Sequence, residues 1–383
     1  MFCASNPSVR FPGCTTGGER GIAIVVVMIV MVIVAGLTTA ALFLAIGEER
    51  TGRGYIRHQH AFAAAEAGVF YPVTNWNQTV YNAMPVDDSI DFAGRLADGT
   101  GSFNGILRRL NRTLYFVTAE GTEAGSRTQH MLGLIVRLHP LPLTPRAALV
   151  TRGPLSIGPS SIVDGYDQPP SGWDCQAARP PLSAISTQPS DSTAYGLVCV
   201  NPPCIRGDPP ILLDSSMTLP DLTMFNGLRF DDLRNLAAVL ISRGVIHPGP
   251  RVEGETCVTA AADNWGDPYV TEGTCGDYMP LVYSTGDLEV TGGRGQGTLV
   301  VDGDLTIGGG FHFAGLVVVR GVFVSRGTGN QLEGAIVVAN AGLKRSSFEG
   351  ATTVRYSSCA VRRARIGAGA PRALRQRSWF QAY

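Results

Sequence analysis

From Ile22 to Ile46 the chain is apolar apart from Gly36, Thr38 and Thr39, and it carries no charge. At about 1.5 Å per residue a helix of that length reaches roughly 37 Å, more than the roughly 30 Å hydrocarbon core of a bilayer. Core helices of soluble domains seldom run so long without a polar face, so the run predicts a membrane-spanning helix. It is longer than the apolar part of a secretory signal, and no small-residue cleavage site separates it from Glu48, Glu49 and Arg50. Beyond those charges come Arg53, Arg57 and the run Ala61 to Gly68. Alanine is the best helix former and Gly68 suits a helix end, so one helix is predicted over 22–68, loosened near Gly47, Gly52 and Gly54. Residues 1–21 are a short polar leader without packing periodicity.

The pattern then changes to strands. Leu114 to Thr118 is rich in β-formers, Glu120-Gly121 and Ala124-Gly125 are turn signals, and Gln129 to Leu138 returns as an apolar strand. A small antiparallel sheet is expected in 69–145, with Asp87, Asp88 and Asp91 as loop and capping acids. From about Ala147 a repeat sets in. Pro154 to Gly158, Gly286 to Val290, Gly303 to Ile307 and Gly321 to Ser325 form one series. Gly297 to Val301, Gly315 to Val319, Gly334 to Val338 and Gly350 to Val354 form the other. They interleave at about 16 to 19 residues, the self-similarity of stacked coils with glycine at the corners. A β-solenoid is predicted over 146–165 and 281–360, with Val318 and Val337 facing its core. An inserted subdomain at 166–280 holds most cysteines and one helix, Phe230 to Leu240, whose apolar residues recur at helical spacing. The seven arginines between Arg355 and Arg377, with no acid after Glu349, make 361–383 a basic C-terminal tail. The expected fold is thus mainly β with a long N-terminal transmembrane helix.

Composition narrows the chemistry. The 383 residues balance 31 basic against 31 acidic side chains, which gives no overall pull toward nucleic acid. Cys175, Cys199, Cys204, Cys257, Cys275 and Cys359 all follow the apolar run, an even set in loops rich in Pro, Gly and Asp. That favours disulfides in an oxidising compartment, with Cys257 and Cys275 expected to pair across one loop. Cys199 and Cys204 have finger-like spacing, but no second pair lies nearby, so no metal is expected. Asp302 and Asp304 could be read as paired carboxylates, yet they flank Gly303 in a turn. The sequence holds no nucleophile elbow, metalloprotease motif or phosphate loop, and neither enzyme activity nor a cofactor is expected.

The Arg20-Gly21 junction, the Ile-Ala-Ile-Val-Val-Val start of the apolar run, Glu48-Glu49-Arg50 and Ala61-Phe-Ala-Ala-Ala-Glu-Ala-Gly68 together resemble the N-terminal region of PilX-like type IV pilus assembly proteins, relatives of the minor pilins. Gly-Asp-Leu-Thr coils like those of the second half are also similar to the C-terminal parts of such proteins. The resemblance implies removal of the leader by prepilin peptidase after Gly21, leaving Ile22 as the new N-terminus. It implies other pilin-like subunits and pilus assembly proteins as partners. It also implies a single-pass inner-membrane location with the β-rich part periplasmic or extracellular. Where major pilins carry a glutamate five residues into the mature chain, this chain has Val26; pilin-like proteins of the assembly or tip type often lack that glutamate. The alternative expectation is an uncleaved single-pass surface protein whose solenoid binds glycans as an adhesin, with a solenoid polysaccharide-active enzyme third.

Overall fold

The computed structural model describes residues 20–175, 179–189, 204–225, 227–270, 274–374 and 379–382. The leader expected at 1–21 falls outside these apart from Arg20 and Gly21, and so does Cys199. The chain divides into two units, Met1–His60 and Ala61–Tyr383.

In the first unit the described residues are helical throughout, within a helix that spans Arg20–Thr74. The helix therefore does not end at Gly68. In the second unit the last turns are held by a packed face: Ala61, Ala64, Ala65, Gly68, Val69 and Pro72 are buried, at spacings of three and four, while Ala63, Glu66 and Phe70 are exposed. Packing of one face outweighs the weak helix propensity of Gly68, and the helix runs on until Thr74, just past Pro72.

That face meets an antiparallel sheet. Its strands lie in the order Ser89–Arg95, Gly101–Arg109, Leu114–Glu123 and Gln129–His139. Period-two alternation buries Tyr115, Val117 and Ala119 on one side, where they join Leu132, Leu134, Val136 and Leu138 in a core of their own. Burial pushes the Tyr115 hydroxyl up to about 12, so it stays a neutral donor, bonding the Tyr81 carbonyl at 2.7 Å.

The sheet is completed by residues read as a basic tail. Ala370–Ala373 and Trp379–Ala382 both pair antiparallel with Gln129–His139, after a helix at Ser358–Gly367. Arginine spacing could not reveal this, because the partner strand lies more than two hundred positions earlier in the chain.

The rest of the second unit is built on parallel pairing. Leu281, Thr298, Leu316 and Ala335 stand in one column of residues in register, and Leu288, Leu305 and Phe323 in another. Successive turns of chain lie directly on one another, and strands such as His312–Val319 are buried along their whole length. Val318 and Val337 pair in register and are 0% and 4% exposed. Gly297, Gly315 and Gly334 are in register too, all at positive φ, and a side chain at Gly315 would collide with the Gly297 carbonyl. Gly350 departs from the expected column: it pairs with Gly327, while Gly334 faces Tyr356, because Phe323–Val338 is one long strand and Gly350 lies beside its first half; a one-residue irregularity falls between Thr328 and Asn330.

The segment 166–280 is not a separate inserted subdomain. Ser183–Thr187 pairs with Ala147–Thr151, and Ile211–Leu213 pairs with Ser183–Thr187 in turn. At the opposite end of the stack Val239–Ile241 pairs with Leu281–Ser284, and Gly244–Ile246 with Leu288–Thr291. The expected helix at Phe230 to Leu240 is accordingly cut short. It covers Phe230–Asn235, buries Phe230 and Leu233, and gives way to a strand at Val239, since an open sheet edge can use those β-formers as one more rung. The stack closes on its own first strands. Ile336 to Val338 lie in register with Leu149 to Thr151, and Ser346 to Phe348 with Leu155 to Ile157.

Candidate assembly surface

In the first unit the apolar residues from Ala23 to Ile46 are exposed and bury themselves on none of the described residues. Ile24 is 62% exposed, Leu44 70%, and the window of highest hydropathy in Ala23–Thr74 is wholly unburied. The helix is long and apolar enough to cross a membrane. Both threonines within the apolar run are internally satisfied: Thr38 donates to the Val34 carbonyl at 2.9 Å and Thr39 to the Ala35 carbonyl at 2.7 Å. Val26 is an exposed member of the same surface. Gly21 and Ile22 lie in the first turns of the helix. Charge resumes with Glu48 and with Glu49, which pairs with Arg53 one turn on, and continues with Arg50 and Arg57, both exposed.

The second unit fixes the C-terminal part of the helix by close approach. Gly121, inside a strand, sits against the helix backbone, where a side chain would collide with Ala65 and Ala61. At Gly68 an added methyl would lie 2.7 Å from Ala119 Cβ. The alanines are therefore a flat face that lets backbone meet backbone. Aromatic contacts flank it, Tyr71 with Phe103 at 5.4 Å and Phe62 edge-on to His130 at 6.0 Å. The seating of this face on Gly121 was not anticipated from the sequence. The available signal was a glycine within a strand of β-formers, which marks close approach of another backbone.

The cysteines and acids have other duties. Cys257 is bonded to Cys275 and Cys175 to Cys359, and Cys204 is also disulfide-bonded. Asp302 accepts from Arg320 at 2.8 Å, and Asp304 accepts the Val322 amide at 2.9 Å, as Asp287 accepts the Asp304 amide. Each of these carboxylates is thus engaged by the coil next to it. Asp88 caps the Ser89 amide, and Asp87 lies 3.5 Å from Arg108. Among the described residues no three His, Cys, Asp or Glu side chains are grouped as metal ligands.

A long exposed apolar helix that continues into an Ala-Gly face seated on a small sheet is a distinctive combination. Residues 20–70 match the PilX N-terminal family. The N-terminal part of the chain is therefore pilin-like, and the match takes in both the apolar run and the Ala61 to Gly68 face. No curated protein matches the chain. Among solved structures, the competence-associated pilin ComZ from Thermus thermophilus is similar at 13% identity, with 85% of this chain and 98% of that chain covered and a TM-score of 0.23.

Proposed function

We propose that this chain is a membrane-anchored, pilin-like structural protein that helps assemble a type IV pilus or a related filament. The match over residues 20–70 carries the reading, because it unites in one helix an apolar surface left exposed among the described residues and a small-residue face that packs on a sheet. In this reading the mechanism is association. The apolar helix lies first in the inner membrane and then against the helices of other pilin-like subunits, while the second unit faces the periplasm or exterior. The paired cysteines of that unit support an oxidising compartment. The parallel stack is read as a β-solenoid that works as a scaffold without catalysis, its aspartates bonding coil to coil.

The same reading places prepilin peptidase cleavage between Gly21 and Ile22, at the start of the apolar run. Produced together with the peptidase, the wild-type chain should yield Ile22 as its N-terminal residue, and the mature form should co-purify with filaments. Gly21→Leu should insert normally, since the apolar span is untouched, and keep its leader. An intact leader on the wild-type chain in cells that make pili would overturn the proposal in favour of an uncleaved surface protein whose stack binds glycans.

A further inference from the structure

Where the antiparallel sheet, the segment after Cys275 and the helix Ser358–Gly367 meet, three arginines and one carboxylate share a small cleft. Arg109, Arg112, Asp277 and Arg363 line it, with room of about 30 Å³. That is room for about two waters or one small occupant. Arg109 is 5% exposed and donates only to backbone carbonyls, those of Asn82, Met84, Asn111 and Arg112, so its charge meets no carboxylate. Arg112 reaches Asp277 at the long distance of 4.0 Å, and both side chains are partly open to solvent.

Arg363 is the unusual member. It is 6% exposed, its guanidinium lies 4.5 Å above the Trp173 ring, and its buried Nε has no hydrogen-bond partner. No ion pair to it is formed among the described residues. Burial, and then the neighbouring charge of Arg112, lower the affinity of Arg363 for its proton, to about 10, and the more weakly acting carboxylates of Asp277 and Asp174 offset this only in part. A buried guanidinium nitrogen without a hydrogen-bond partner costs more than one that is bonded, and the Trp173 face does not supply an acceptor in its plane. The cleft thus holds an excess of positive charge, unspent donors, and a mouth formed by Arg112 and Asp277.

We propose that this cleft binds a small monovalent anion of halide size, held between Arg363 and Arg112. The ion completes the hydrogen bonding of Arg363 and offsets the repulsion between the arginines. It also ties the antiparallel sheet to the helix that follows the parallel stack, beside the bond from Asn82 Nδ2 to the Gly367 carbonyl at 2.6 Å. The size of the cleft selects against phosphate esters and sugars.

The probe is bromide. Full-length protein in detergent is melted in sodium bromide and in sodium gluconate at equal ionic strength, for the wild type, Arg363→Met and Arg112→Gln. The wild type should melt about 2–4 °C higher in bromide relative to Arg363→Met, the shift expected when a ligand binds the native state well above its Kd in a domain of this size. Arg363→Met should match or exceed the wild type in gluconate, because it removes a buried charge whose Nε is unbonded while an apolar stem still packs on Trp173. Should Arg363→Met fail to fold, Arg112→Gln at the partly open mouth decides, with a reduced bromide response expected. A wild type indifferent to bromide, or a response equal in the variants that fold, would overturn the proposal.

Discussion

The helix of the first unit and the parallel stack of the second are made of the same residues and solve opposite problems. Val30 and Val34 in the helix are 52% exposed, whereas Val300 and Val318 in the stack are 0% exposed. Helical geometry satisfies every backbone group within the segment and leaves side chains radiating outward, so burial must come from outside. A parallel rung leaves its backbone groups to its neighbours, and in obtaining them it buries its side chains as well. Apolar composition alone therefore does not say whether a segment supplies a core or a surface. From Gly297 to Gly334 the recurring glycines add that information.

One substitution made in both places tests this contrast. Val318→Asp should bury a charge without a partner and cost several kcal/mol, on the order of a whole domain's margin, so the full chain should show a large fall in its thermal midpoint. Val34→Asp should leave that midpoint in detergent unchanged and instead weaken membrane insertion by about 2.5–3.5 kcal/mol, read from the fraction recovered in membranes. An unchanged midpoint for Val318→Asp would show that the register of the stack is wrong. Replacing both Cys257 and Cys275 by serine should cost roughly 3 kcal/mol by releasing a loop, measured by chemical unfolding, with no effect on insertion. Gly121→Ala should lift the helix from the sheet at a cost on the order of 1–3 kcal/mol, seen as faster amide exchange in residues 61–74 and not in the stack.

The smallest effect concerns acid. Hydrogen bonding from Arg251 holds the Asp263 carboxyl below its ordinary value of 3.8. A depressed folded value means that the stabilisation is complete above the ordinary value and disappears as pH falls through the lowered one. Asp263→Asn should accordingly lose a little stability at neutral pH, converge with the wild type as pH falls through the lowered value, and so flatten the acid limb of the stability profile slightly.

The apolar helix was legible because its signal is local and continuous. So was the pairing of turns from Leu281 to Val338, where glycines punctuate successive turns. The rungs at Ser183–Thr187, Ile211–Leu213 and Val239–Ile241 were not, for they lack those glycines and pair with strands remote in sequence. The end of the helix was misjudged at Gly68 because the residue that makes Gly68 useful, Ala119, lies in a strand fifty positions on. Of the arginines read as a solvated tail, Arg363 is buried on Trp173 and Arg365 donates to the Leu141 carbonyl at 2.7 Å. Nothing in the spacing of arginines distinguishes a buried one from a hydrated one.

The closure of the stack on Ala147–Thr151 also has a consequence in time. This strand is made early, yet one of its two neighbours, Phe323–Val338, is among the last to leave the ribosome. A linear array of repeats can form a unit at a time in the order of synthesis, but here the early strands must wait, one edge unpaired, for chain made much later. Completion of the β-rich unit is therefore post-translational and slow, as pairing over long loops demands, and the waiting edge is where a chaperone would have to act.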